Sequence, residues 1–474
     1  MQLVLAVLSG VLLAFSLPPF DQEWTVWFAL VPLFVAVLKR RPLEAVGLGM
    51  VSGIACGITV GPSSPTAHGF VFAAFPFLML ALMLGLGGCV AMRERRSSEG
   101  LRWVLTVACA GLFLEWCTLV GPMPLHLALS QWRNLTLMPV VSITGIWGVS
   151  LLIWLTNAAL ADALLLRRPF TPSAGLALMV AVTFLAAPRL APQSAPGTPV
   201  RVAAIQSYSG TEGEVFARRG APSVEGGDAE AMSRDAAAAG AKLIVWPELG
   251  AAFSPEVPDD PVATLARDVH AQIVVGYPEA GSPKGYNCAA VVDTDGRVRG
   301  IHRKNYPFLG ERRDTNAGTV ATVVDTSLGR VGVAICFDTC YPEFSRRLAR
   351  SGAQLIAMPN YDPVTVRGLV HRLHGAVLPF RAVENGLPIV RCDSNGMSQV
   401  IDSSGRVLAE GPLFRPQVVS ASVTLGTGKG TFFSRYGDWL VLVCFGALLI
   451  LRLTAGRSRS QAPAPAVSEP AIGK

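Results

Sequence analysis

Three short stretches of this sequence each set one chemically useful side chain at the end of an apolar run. KLIVWPELG closes a β-forming run with Glu248, IHRKNYPFLGE leaves another with Lys304 and continues to Glu311, and VGVAICFD ends a third with Cys336. A thiol serves as a nucleophile when a neighbouring base takes its proton and a cation steadies the charge that develops. One carboxylate, one ammonium and one thiol, each at its own strand's end, suit that task. The backbone N–H of Phe337, just past the thiol, is placed to help hold an oxyanion. Each residue also has an ordinary reading. A Cys in an apolar strand is usually an inert small hydrophobe, lone Lys and Glu residues are solvated charges, and Cys336 with Cys340 could be a disulfide or half a metal site.

The elements that must position these residues lie in 200–430. Short β-rich runs (VRVAAIQ, KLIVWPE, QIVVGY, AQLIAMPN, LPIVRC) alternate with helical runs such as DAEAMSRDAAAAG, PVATLARDVHA and RGLVHRLHGAVLPFRAVENG. VVDTDGRVRG and VIDSSGRVLA put Asp-Gly and Ser-Gly turns between alternating strands, which is hairpin chemistry. The pattern predicts an α/β domain with covered sheets.

Composition places that domain beside a membrane. Only 15% of the 474 residues are charged and the mean hydropathy is +0.44, whereas soluble domains carry about 25% charged residues. Seven apolar runs precede residue 188 and an eighth, WLVLVCFGALLILRL, follows the α/β domain. A spanning helix needs roughly 20 apolar residues, so about eight spans are expected. The first run lacks a basic leader region and reads as a retained helix rather than a signal peptide. The expected organisation is a helical membrane domain at 1–188, a Pro-rich linker at 189–199, the α/β domain at 200–430, an interfacial segment and last span at 431–453, and a disordered cytoplasmic tail at 454–474. KRR at 39–41, RERR at 93–96, RR at 167–168 and the arginines after the last span mark alternate loops. Because basic loops stay cytoplasmic, both termini are expected inside and 200–430 on the opposite face. The net charge of +7 then reflects topogenic arginine and needs no nucleic acid.

WPE, a Lys within a YN…DGxxxGxxRK hairpin, and ICFDxxYPE resemble the nitrilase (carbon–nitrogen hydrolase) superfamily. AFSLPPFDQEWTVWFALVPL, MPVVSITGIWGVSLL and the closing TFFSRYGDW resemble its membrane-bound branch, the apolipoprotein N-acyltransferases. The resemblance implies an α-β-β-α sandwich in a multi-pass protein of the bacterial inner membrane, with its catalytic domain on the periplasmic side. On the superfamily pattern Glu248 is the general base, Lys304 stabilises the tetrahedral intermediate, Cys336 is the nucleophile and Glu311 is the supporting glutamate. It also implies a phospholipid acyl donor, a Cys thioester, a diacylglyceryl-lipoprotein acceptor, and neither cofactor nor metal. The chain departs from the branch in three places. The stretch between Glu311 and the nucleophile strand is short, Phe337 and Asp338 stand where Tyr and Glu are usual, and PNYDPVT replaces an Asn-Asp-x-Trp-Phe stretch.

The remaining residues of interest are Tyr306, Phe308, Tyr361 and Tyr436, as candidate substrate contacts. Cys340 is expected as a packed residue at a helix start, since a disulfide to Cys336 would destroy the nucleophile. His371 and His374 are expected to pack on a surface or groove, and His302 to face away from Arg303. Glu115 is an intramembrane carboxylate, functional by default, but its place near a span's end also suits a cap or a bond to a neighbour. Two other functions fit less of the chain: a membrane-tethered amidase using the same three residues with water as acceptor, and a scaffold with a dead enzyme domain.

Overall fold

The computed structural model describes residues 1–38, 40–61, 77–90, 100–120, 125–166, 197–207, 228–281, 283–308, 310–364 and 368–460. Its N-terminal helices are α1 (Gln2–Ser16), α2 (Val31–Val37), α3 (Pro42–Val60), α4 (Phe77–Val90), α5 (Gly100–Cys117), α6 (Met138–Thr144) and α7 (Ile146–Leu166). Among the described residues three helices, α3, α5 and the Ile146–Leu164 part of α7, are long and apolar enough to cross a bilayer. The expectation of eight spans is thus carried by three. The other apolar helices are shorter, α1 for instance giving way at Leu17 to the Pro18–Pro19 turn, and the seventh expected run lies outside the described residues.

Small residues let these helices approach closely, as they do inside membranes. A Cβ added to Gly53 of α3 would lie 2.2 Å from the Ala81 Cα of α4. Asn157 of α7 pins the chain entering α2, accepting from the Leu30 N–H and donating to the Val26 carbonyl, each at 2.8 Å. Glu115 is buried and binds neighbours: it accepts from the Leu127 N–H at 3.1 Å, the Trp154 indole at 3.1 Å and the Ser150 hydroxyl.

Beyond residue 197 the period of apolar side chains becomes two. In β1 (Val200–Gln206), Val202 and Ala204 enter one core while Ala203 and Ile205 enter another. Such alternation requires a sheet covered on both faces. β1 pairs in parallel with β2 (Leu243–Val245), and β2 with β3 (Gln272–Glu279), through crossovers by α8 (Ala229–Ala238) and α9 (Pro261–Val269). The predicted hairpin β4 (Gly285–Val292) and β5 (Val298–Arg303) follows, and β6 (Thr315–Asn316) pairs with β4.

The second sheet runs through β7 (Val323–Thr326), β8 (Gly329–Val333), β9 (Leu355–Asn360), β10 (Ile389–Asp393), β11 (Gln399–Ile401) and β12 (Val407–Glu410). Its strand order is β12–β11–β10–β9–β8–β7, while the first is ordered β13–β1–β2–β3–β4–β5, with β13 spanning Gln417–Val423. Parallel β8, β9 and β10 are joined by α10 (Pro342–Arg350) and α11 (Leu369–Asn385). One apolar core lies between the sheets, and each outer face is covered by its own helix pair. The arrangement is the expected α-β-β-α sandwich.

α11 is apolar on opposite faces because it packs into two cores. Leu378 and Ala382 pack on the second sheet, while Leu373, Val377 and Phe380 join the core of the membrane helices. After β13 the chain forms α12 (Phe432–Tyr436) and α13 (Trp439–Ser460). Asp438 between them accepts from the Trp147 indole of α7 at 3.0 Å and the Trp116 indole of α5 at 3.3 Å, and pairs with Arg346 of α10 at 3.2 Å. One carboxylate therefore joins three helices across the two parts.

The first sheet is tight where it matters for chemistry. A Cβ on Gly276 of β3 would lie 2.3 Å from the Pro247 carbonyl oxygen and 2.7 Å from the Glu248 Cα. Gly276→Ala should displace Glu248 and lower turnover by about tenfold or more, since small misplacements of reacting groups are costly. Gly446→Ala, where a Cβ meets nothing within 4 Å, should leave turnover unchanged in the same assay.

Candidate active site

Three strand ends deliver the residues singled out above. Glu248 sits just past β2, where the Trp246 N–H donates to Val274 and the Glu248 N–H reaches the Asn360 carbonyl of the other sheet at 3.3 Å. Lys304 directly follows β5, its N–H bonded to the Asn287 carbonyl at 2.9 Å. Cys336 opens a 3-10 turn, Cys336–Cys340, between β8 and α10, and Pro342 starts the helix without needing an N–H partner. The φ of Cys336 is +46°. Holding a non-glycine residue there costs roughly 1–3 kcal/mol and is typical of functional turns.

The side chains converge in a buried cluster. Lys304 Nζ donates to Glu248 Oε1 at 2.7 Å and to Glu311 Oε2 at 2.8 Å. Asn287 Nδ2 bridges the same carboxylates, at 2.6 Å to Glu248 and 3.1 Å to Glu311, and the Phe308 N–H donates to Glu311 at 2.7 Å. Lys304 is 1% and Glu248 3% exposed, so little solvent screens these charges. Glu248 Oε1 is doubly occupied, whereas its buried Oε2 has no hydrogen-bond partner. Burial pushes the Cys336 thiol well above its ordinary range, and the charge of Glu248 pushes the same way against the pull of Lys304. Burial likewise raises Glu248 against the opposing effect of Lys304. Burial disfavours the Lys304 ammonium, but Cys336, Glu248 and Glu311 outweigh it and hold the lysine protonated. Burial thus favours the neutral Cys336 thiol over the thiolate.

Asp338, noted in the sequence only as a departure from the membrane-bound branch, has a bridging role that its type and position did not reveal. Its Oδ1 accepts from the Asn305 and Tyr306 N–H groups, both at 2.9 Å, and its Oδ2 accepts from the Ile335 N–H at 3.0 Å. One buried carboxylate thus ties the Cys336 turn to the chain just past Lys304. His302 Nε2 lies 2.9 Å from the same Oδ2. A signal was available: His302 and Lys304 alternate on one face of β5, with Arg303 facing outward to Glu279.

His371 and His374 correct the expectation of surface or groove packing, since both are fully buried around Asp362. His374 Nδ1 lies 3.0 Å from Asp362 Oδ1 and His371 Nε2 lies 3.1 Å from the Asp362 carbonyl. Burial opposes the His374 imidazolium, but Asp362 and Cys340 outweigh it and raise its pKa to about 10. Donor atoms of Cys336, Asp362 and His374 lie within 4.8 Å of one another, a set chemically able to meet a metal. The Arg391 guanidinium, however, is already bonded to Asp362 and, at 3.0 Å, to Asp393, and supplies the cation there.

The other expected residues divide. Phe337 packs its ring against Phe308 with centroids 5.7 Å apart, and its N–H lies in the first turn beyond the thiol. Tyr306 stacks on Tyr341 at 4.4 Å and donates to Glu343 at 2.8 Å. The Tyr361 carbonyl lies 3.9 Å from the Cys336 sulfur. Cys340 is a free, buried thiol at the end of the turn. Tyr436 is 63% exposed and packs its ring at a tilt against Phe432, away from the cluster.

Comparison with known proteins accounts for both parts of the chain. A family described as carbon–nitrogen hydrolase matches residues 202–431, and the apolipoprotein N-acyltransferase N-terminal domain matches residues 9–159. The chain is 30% identical to an apolipoprotein N-acyltransferase of Geobacter metallireducens over 507 aligned residues, covering 96% of both chains. It is 28% identical to one from Gloeobacter violaceus, covering 96% of this chain and 94% of that one. The crystal structure of Saccharomyces cerevisiae Nit3, a nitrilase-superfamily member, aligns with 48% of this chain and 92% of its own at 25% identity and a TM-score of 0.40.

The Arg391 cluster yields a stability prediction. Arg391→Met leaves Asp362 and Asp393 buried without their shared cation, and breaking such a pair costs roughly 3–5 kcal/mol. The thermal midpoint of the detergent-solubilised protein should fall by about 10 °C, read by intrinsic tryptophan fluorescence.

Proposed function

This chain belongs to the apolipoprotein N-acyltransferase family, and from that premise we propose how its residues carry out N-acylation of lipoproteins. Glu248 Oε2 takes the Cys336 proton, and the sulfur attacks an ester carbonyl of a membrane phospholipid. Lys304 and the Phe337 N–H hold the oxyanion. As the tetrahedral species collapses, Glu248 returns the proton to the departing glycerol oxygen, leaving a Cys336 thioester and a lysophospholipid. The neutral α-amine of a diacylglyceryl-cysteine then attacks the thioester. Glu248 takes a proton from that nitrogen and passes it to the leaving sulfur, so the amide forms and the thiol is regenerated. The observation that carries this reading is the buried Glu248 Oε2, unpartnered beside Lys304.

Two lipid substrates explain the join to a membrane domain. We place residues 200–430 on the periplasmic face, with both termini cytoplasmic and 1–188 and 431–453 in the bilayer, on the strength of the basic loops. Tyr306 and Phe308, beside the cluster, are the substrate contacts this reading favours. An amidase using water as second acceptor keeps the same residues, and the short run from Glu311 to β7 is what favours it.

Two measurements test the reading. Protein given phospholipid alone should accumulate a stable acyl group on Cys336, seen by intact mass, and a diacylglyceryl peptide with a free N-terminus should discharge it. Rapid fatty-acid release without peptide would instead support the hydrolase. Separately, a cysteine placed at the exposed Asp259 should react with a membrane-impermeant maleimide in intact spheroplasts; labelling only after lysis would reverse the orientation.

A further inference from the structure

Two oppositely charged side chains lie fully buried on α11, where that helix passes between the second sheet and the membrane helices: Arg381 and Glu384. They pair with each other. A buried ion pair contributes little net stability compared with apolar residues of the same size, so its outward bonds matter more than the pairing. Arg381 Nε donates to the Thr339 carbonyl at 3.0 Å, and Thr339 is the fourth residue of the turn that Cys336 opens. The Thr339 hydroxyl donates back to the Cys336 carbonyl at 3.1 Å. On the other side, Glu384 Oε1 accepts from the Ile146 N–H at 2.9 Å. Ile146 is the first residue of α7, whose opening N–H groups have no partner within the helix and carry the positive end of its dipole. The Thr431 hydroxyl, just before α12, donates to the Glu384 carbonyl.

The polar contacts continue into the membrane part. One turn along α7, Ser150 donates to Glu115, and the ring of His126 lies 3.6 Å from the same carboxylate. Glu115, Ile146, Glu384, Arg381 and Thr339 therefore form a buried seam from the intramembrane carboxylate to the thiol's own turn.

We infer that Arg381 and Glu384 are positioning residues that lock the Cys336 turn to the N-terminus of the membrane helix α7. The inference rests on Cys336 as the nucleophile. Its strained conformation is maintained from both ends: Asp338 fixes the turn to the Lys304 strand, and the Arg381–Glu384 pair fixes it to the bilayer part. Loss of the second attachment lets the turn relax, and the sulfur loses its alignment with Glu248.

The test uses the full chain in detergent micelles with three variants. Glu384→Gln keeps an acceptor for Ile146 but removes the charge opposite Arg381. Arg381→Lys keeps the charge and loses the Nε bond. Ile146→Pro removes the N–H at a helix position where proline is tolerated, and Ile146→Val, which keeps the N–H while trimming the same buried side chain, is its packing control. The rate at which iodoacetamide alkylates Cys336, mapped by peptide mass and normalised to folded protein, is expected to fall about tenfold or more in each of the three and not in the control. The turnover number should fall in parallel, with the KM for phospholipid unchanged. A lower yield of folded protein with an unchanged or faster alkylation rate per folded molecule means a purely structural role and overturns the inference. Slowed alkylation alongside a parent protein that transfers no acyl group would sink the acyl-transfer reading and leave this one standing.

Discussion

A buried lysine ammonium held between two carboxylates is the interaction on which the rest of this structure depends. In the reactive state proposed above, with both carboxylates ionised around a charged Lys304, the cluster carries one net negative charge in a poorly screened site. A thiolate formed by losing its proton to solvent would add a second, which burial penalises heavily. Moving the proton from Cys336 to Glu248 leaves the net charge unchanged. The raised Glu248 carboxyl and the raised thiol are two aspects of that constraint, and it is the physical basis of the internal proton transfer proposed here.

Such a cluster functions only if its members are held to within a fraction of an ångström, and the fold supplies the supports. Glu248, Lys304 and Cys336 each sit at the end of a different strand, so no local sequence fixes their separation. Gly276 lets β3 lie against the Glu248 turn, Asn287 of β4 bridges both carboxylates, and Asp338 joins the thiol's turn to the chain past Lys304. The membrane helices contribute from the other side through α11 and Asp438. A water-soluble domain alone would meet lipid substrates only by collision; here the bilayer part and the catalytic sandwich share one packed interface.

Much of this was legible from the residues in order, and the reasons differ by feature. Alternation in VRVAAIQ, and turns such as Thr294-Asp295-Gly296, are local signals, and the strands and hairpins they predict are present. Glu248, Lys304 and Cys336 were expected together because each closes an apolar run, and Glu311 because of the family resemblance; Lys304 bonds both carboxylates, and their charges act on the buried Cys336 thiol. Asp338, Asn287 and Arg391 were not singled out, because their value comes from partners tens of residues away. His371 and His374 were misplaced for the same reason: two imidazoles at helical spacing read as surface until Asp362 and Arg391 arrive from other strands. The membrane part was legible as apolar, and three of its helices among the described residues are long and apolar enough to cross a bilayer.

The central claim is that Glu248 takes the Cys336 proton within a cluster whose net charge stays constant. The most direct measurement is the pH dependence of Cys336 alkylation in the parent protein and in Glu248→Gln. In the parent, reactivity should rise as pH passes through the Glu248 carboxyl's pKa, which burial sets above the usual carboxylate value. In Glu248→Gln that rise should disappear and reactivity should return only above the ordinary thiol range, as burial of Cys336 dictates. Superimposable profiles for the two proteins would contradict the account.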